Sequence, residues 1–144
     1  MTMTLTEALA RHDIPVADEL LAAIEVPILT GPQRQGDILC PPRPAVGAAE
    51  LTTMSAVPRE GVAVVRGEAT GNTHLLDAVE GNVMWVANPA AGPTDLTLGV
   101  LHVPEGAVAH LIHTDEHGCN AIGPGTYRLV GKREMAEEIR RVAD

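Results

Sequence analysis

The sequence predicts a mainly β fold: a small single-domain β-barrel or sandwich with an N-terminal helical hairpin and a C-terminal amphipathic helix. Three observations predict it. Short runs rich in Val, Leu, Ile and Thr recur about every ten residues and are divided by Gly and Pro turns, the grammar of small antiparallel proteins. A length of 144 residues suits one domain. A hydrophobic content of 45% is ordinary for a packed chain and well above the disordered range. With one Trp, one Tyr and no Phe, that core must be aliphatic.

The elements follow in order. Thr4 with Glu7 three residues on fits a capping box, and Leu5, Ala8 and Leu9 keep helical spacing. Asp13-Ile14-Pro15 interrupts this helix. Pro15 suits a first helical position, and Leu20, Leu21 and Ile24 would form the apolar face of a second. A helical hairpin is therefore expected over 4–26, within an extension spanning 1–32. The β domain should cover 33–131.

Its expected strands are Ile38 to Cys40, Val62 to Val65, His74 to Val79, Val83 to Val86, Leu96 to Val103, Ala107 to His113 and Thr126 to Val130. Glu80-Gly81-Asn82 reads as a hairpin turn. In 132–144, Met135, Ile139 and Val142 fall on one helical face, which predicts the terminal amphipathic helix.

Charge and composition exclude several functions. The net charge of −9 opposes a phosphate-backbone partner, and two aromatics cannot build a stacking platform for single strands. The terminal helix is neutral, so the negative charge lies upstream, where it favours cationic ligands. No secretory signal or membrane-spanning run is evident, and Cys40 and Cys119 form no CxxC. A cytoplasmic protein with reduced thiols is the expectation.

The chemistry concentrates in histidine. His74, His102, His110, His113 and His117 all fall within residues 74–117. His113 and His117 share a face in either a helix or a strand, and Asp115 or Glu116 adds oxygen donors. Imidazoles suit Zn, Fe, Ni or Cu. His74, after the polar turn Thr70 to Thr73, would supply a third nitrogen. The candidate metal ligands are thus His74, His113 and His117, with Glu116 as a ligand or catalytic base. A hydrogen-bonded turn or surface cluster would use the same residue types. His110 has opposite strand parity to His113, His102 reads as an ordinary strand residue, and His12 as a surface helix residue.

His113-Thr114-Asp115-Glu116-His117 also fits the H-x-x-E-H pattern of inverted zinc proteases, which requires a helix. The flanking Ile112, Gly118 and Gly123-Pro124-Gly125 indicate a hairpin instead. Gly67 to Gly71 lacks the Lys of a phosphate-binding loop, and Ser55, the sole serine, lies outside any nucleophile elbow. Cys119 lies two residues after His117, and an idle thiol is the simpler reading. Asp37 should stabilise a turn, with Arg34 as its partner.

Two resemblances bear on these residues. The short strands, Val103-Pro104-Glu105-Gly106 and Ile122 to Tyr127 resemble the turns of cupin-type barrels. That resemblance implies one metal inside the barrel, with His74, His113, Glu116 and His117 at the matching positions, although the chain has no close H-x-H pair. Arg34-Gln35-Gly36-Asp37, Thr70-Gly71-Asn72-Thr73-His74, His113 to His117 and Pro124-Gly125-Thr126-Tyr127 resemble a family of small uncharacterised bacterial proteins. This second likeness runs over about residues 33–144 and implies that the N-terminal helices are an extension.

Two functions remain open from sequence. One is a metal-binding barrel, carrying a divalent transition metal such as Zn, Fe or Ni and binding or acting on a small molecule. The other is a non-enzymatic self-assembling scaffold without a metal, because the amphipathic ends need a partner. Both expect a homo-oligomer, with no nucleic acid and no membrane.

Overall fold

A computed structural model describes residues 2–16, 23–65, 74–92, 94–114 and 118–131. The strands are β1 (Met3–Thr4), β2 (Glu25–Val26), β3 (Ile28–Leu29), β4 (Gln33–Gln35), β5 (Ile38–Cys40), β6 (Ser55–Ala56) and β7 (Val62–Ala63). They continue as β8 (His74–Glu80), β9 (Met84–Ala87), β10 (Thr97–Val103), β11 (Val108–His113), β12 (Gly118–Ile122) and β13 (Gly125–Gly131). Two short helices are described, α1 (Leu5–Ala10) and α2 (Ala48–Leu51).

Alternation along the strands decides the layers. In β13, Tyr127 and Leu129 are fully buried while Arg128 is exposed, and in β10 Leu101 and Val103 point inward past His102. The six-stranded sheet runs β4-β5-β13-β10-β9-β6 and the five-stranded sheet runs β3-β12-β11-β8-β7. One hydrophobic core joins them, with Ile38, Trp85, Leu101 and Leu129 from the first and Leu76, Leu111 and Ile122 from the second. Strand β11 is buried along its whole length, and α1 packs against the neighbouring β12 of the same sheet.

The mainly β expectation stands, but no sheet closes into a barrel. Three short turns explain the difference. The turns at Gly81, at Pro104-Glu105-Gly106 and at Gly123-Pro124 each carry the chain from one sheet to the other. Glu80-Gly81-Asn82 is therefore no hairpin turn, since β8 and β9 belong to different sheets. Gly81 sits at φ +79°, and a Cβ there would meet Ala107 Cβ at 2.6 Å, so this crossing requires glycine. Between β4 and β12, where closure would need a ladder, side-chain amides span the gap instead. Gln33 Nε2 donates to the Ala121 carbonyl at 3.3 Å, and Asn120 Nδ2 donates to the Arg34 carbonyl at 3.2 Å.

The N-terminal helical hairpin is also corrected. The capping box forms as expected: Glu7 N donates to Thr4 Oγ1 at 3.2 Å, and Thr4 N to Glu7 Oε1 at 3.1 Å. The helix nevertheless ends at Ala10, and Asp13 takes a φ of +57° before Pro15. Where the expected second helix should end, Glu25–Val26 pairs antiparallel with Met3–Thr4 as a strand, and Ile24, expected on that helix's apolar face, is 53% exposed. The expected second-helix residues Leu20 and Leu21, and the C-terminal helix at 132–144, lie outside the described residues.

Candidate functional site

Antiparallel pairing of β11 with β8 sets His113 directly opposite His74. On the same face, Leu111 opposes Leu76, so both histidines point into the space between the sheets. They lie at its end, 1% and 4% exposed, with ring centroids 4.3 Å apart and planes within 8° of parallel.

A chain of amides fixes the His74 ring. Gln35 Nε2 donates to the Leu111 carbonyl at 2.6 Å and to Asn120 Oδ1 at 3.1 Å. That commits the amide nitrogen, so Gln35 Oε1 faces His74 Nδ1 at 3.0 Å and must accept from it. The proton therefore sits on Nδ1, and Nε2 carries the lone pair. A hydrogen-bond partner of this kind holds an imidazole in one tautomer and orientation. Burial, reinforced by the neighbouring His113 and opposed by Asp37, depresses the His74 pKa to about 4. The ring is thus neutral at pH 7.

The turn Gln35-Gly36-Asp37 covers the exposed edge of this ring. Gly36 has φ +55°, and a Cβ there would stand 3.5 Å from His74 Cε1 and 4.0 Å from Nε2. Arg34 Nε donates to the Gly36 carbonyl at 2.9 Å, so it braces the turn through the backbone. Residues 34–37, 74 and 113, distant in sequence, thus form one corner. Of the expected metal ligands, His74 and His113 come together, while His117 and the candidate base Glu116 lie outside the described residues. Among the described residues no group of three or more His, Cys, Asp and Glu side chains is arranged to hold a metal. The stacked rings explain part of this: their lone pairs lie in nearly parallel planes and do not converge on one point.

The H-x-x-E-H histidine described here sits in a strand. His113 pairs with Gly118 across the antiparallel β11–β12 ladder, which is the hairpin context expected from the flanking residues.

A second polar cluster occupies the opposite face of the five-stranded sheet. His110, of opposite parity to His113, pairs with Asp77 across β8, and both are buried. Arg11 Nε donates to Asp77 Oδ2 at 2.9 Å, and His12 Nε2 lies 3.0 Å from the same oxygen. Burial would raise the Asp77 pKa, but the hydrogen bonds from Arg11 and His12 outweigh it and hold the carboxyl below its usual value. His12 is therefore no surface helix residue: it follows α1 in a turn, and its side chain is only 9% exposed. His110 Nδ1 is buried without a hydrogen-bond partner among the described residues. Burial depresses its pKa to about 4. Cys119, also on this sheet, is free, and burial pushes its thiol up to about 12, which suits an idle thiol. His102 behaves as an ordinary strand residue, with Nδ1 3.1 Å from Thr126 Oγ1.

Sequence reasoning missed Gln35 and Asn120 as site residues. Their signal was weak, since a polar residue beside a glycine turn reads as solvent-facing until its strand parity is known. Asp77 was similarly hidden inside an apolar strand.

The family described as a domain of unknown function (DUF8820) matches residues 34–132. The chain belongs to this family. The DUF8820 match begins at Arg34, so it contains the amide chain, both stacked histidines and the Asp77–His110 pair, and leaves the α1 segment outside. No curated protein and no solved structure matches the chain.

Proposed function

We propose that this protein binds a divalent transition metal at the corner formed by residues 34–37, His74 and His113. The observation that carries this reading is the Gln35–His74 hydrogen bond, which presents a neutral imidazole with its Nε2 lone pair ready for a ligand. His113 joins it by turning out of the stack, and His117 and Glu116, four and three residues beyond His113, complete the donor set. An acidic chain concentrates cations near such a site. With one position left open, the metal would polarise a small-molecule ligand, and Glu116 would move its proton.

Metal analysis of untagged protein tests this reading. Near-stoichiometric Zn, Fe or Ni is expected, lost in a His74→Ala variant and in a His113→Ala, His117→Ala variant. Protein that takes up no metal from a Zn, Fe or Ni titration overturns it, and a large symmetric particle in light scattering would then favour the self-assembling scaffold. Gln35→Leu should weaken metal affinity by about 10- to 100-fold, the usual effect of removing a partner that orients a ligand.

A further inference from the structure

The geometry points to a second binding site, one that shares no residue with the histidine corner: a cavity between the two sheets that takes an apolar group the size of one aromatic ring. It measures about 180 Å³. Val62 and the buried Val64 line it from the β7 side, and Trp85, Ala87 and Leu98 from the six-stranded sheet, with Ala91 from the β9–β10 loop. Ala87 and Ala91 are the small side chains of this lining, and they leave the space between the sheets unfilled here.

Two local features build its wall. Gly99 lies beneath the Trp85 indole, and a Cβ there would meet the ring at 2.5 and 2.6 Å, so only glycine lets the indole lie against β10. Beside it, the β10–β13 register shifts between Thr97 and Gly99, which makes Leu98 the extra residue of a bulge. Bulges re-aim side chains, and Leu98 lines the cavity.

The lining also selects the chemistry. Asn88 is its one polar side chain among the described residues, and its amide is already committed. Nδ2 donates to Asp95 Oδ2 at 2.8 Å and to the Thr97 carbonyl at 2.9 Å, while Oδ1 accepts from Ala90 N at 3.1 Å. None of the described lining side chains is charged, so an ion, sugar or phosphate would find no described charge there to replace its hydration. An apolar molecule loses nothing by entering. A cavity of ~150 Å³ already holds benzene, so this volume fits a single ring or a short branched alkyl group.

The only Trp in the chain forms the wall, so its emission reports occupancy directly. The full-length protein is titrated with toluene while Trp85 fluorescence and the Ala87 and Ala91 methyl NMR signals are followed. The expected result is a saturable fluorescence change with shifts confined to those methyls. Ala87→Leu and Ala91→Leu, each checked for folding by circular dichroism, fill the space and should abolish the response. A linear, unsaturable change in the wild-type protein overturns the site, as does a saturable change retained in a folded filled variant. Should neither variant fold, methyl shifts spread over the whole core, in place of these two alanines, overturn it equally.

Discussion

At the scale of single residues, the two buried histidines of β11 show how strand parity assigns different chemistry to one amino acid. His113 faces the intersheet space and stacks on His74, whereas His110 lies on the opposite face beside Asp77, and its Nδ1 has no hydrogen-bond partner among the described residues. The second arrangement has a pH signature. Burial holds the folded-state pKa of His110 at about 4, below the ordinary value of 6.5, so the unfolded chain binds the proton more readily. Stability is therefore fully present above about pH 6.5 and falls as the pH drops toward 4, by up to about 1.4 kcal/mol per pH unit for each such group. His74 adds a loss in the same window. Urea melts between pH 7 and pH 4.5 should show this decline. His110→Leu, which removes both the titration and the orphaned nitrogen, should make the slope shallower and leave stability at pH 7 equal or higher. An unchanged slope would mean that His110 does not sense the pH.

At the scale of elements, α1 illustrates a helix too short to stand alone. Six residues cannot repay the cost of helix nucleation. Its capping box contributes about 1 kcal/mol, and burial of Ala8 and Leu9 against the five-stranded sheet supplies most of the rest. The Arg11–His12–Asp77 contacts then fix where the segment lies. Asp77 is fully buried, so removing a partner leaves a charge with diminished compensation, a costlier change than losing an exposed ion pair. Arg11→Ala should destabilise by about 1–3 kcal/mol, a range set below that for a fully buried pair because Arg11 is one-third exposed. Adding Asp77→Val should recover most of that loss, because valine suits a buried strand position. Denaturant midpoints of the single and double variants measure both. A double variant weaker than Arg11→Ala alone would show that Asp77 stabilises by contacts other than these.

At the scale of the whole molecule, sheet order sets the folding problem. Strand β5, ending at Cys40, pairs with β13, which begins at Gly125, and β3 pairs in parallel with β12. Such non-local pairing must be closed before it is stabilised, which slows folding. Refolding followed by Trp85 fluorescence should have its main phase in the millisecond-to-second range. A microsecond main phase would contradict the strand order described here. The same order creates both candidate sites, since the open sheets leave one end to the histidine corner and an unfilled space beside Trp85.

The sequence by itself determined the mainly β character, most strand positions from Ile38 onward, the capping box and the parity that separates His110 from His113. Each of these depends on period-two alternation or on contacts within a few residues, so it is written locally. The short strands β3 and β4 are obscured by the flanking breakers Pro27, Gly31 and Pro32, and β12 is masked by Gly118, Cys119 and Asn120. Only the tertiary structure decided that the turns at Gly81, Gly106 and Gly123 cross between sheets, that the barrel stays open, and that Gln35 reaches His74. A turn residue specifies a reversal of direction, but the partner that a strand then finds depends on the burial of the whole core. For that reason the clustering of histidines was legible in the chain, while the amide that orients His74 was not.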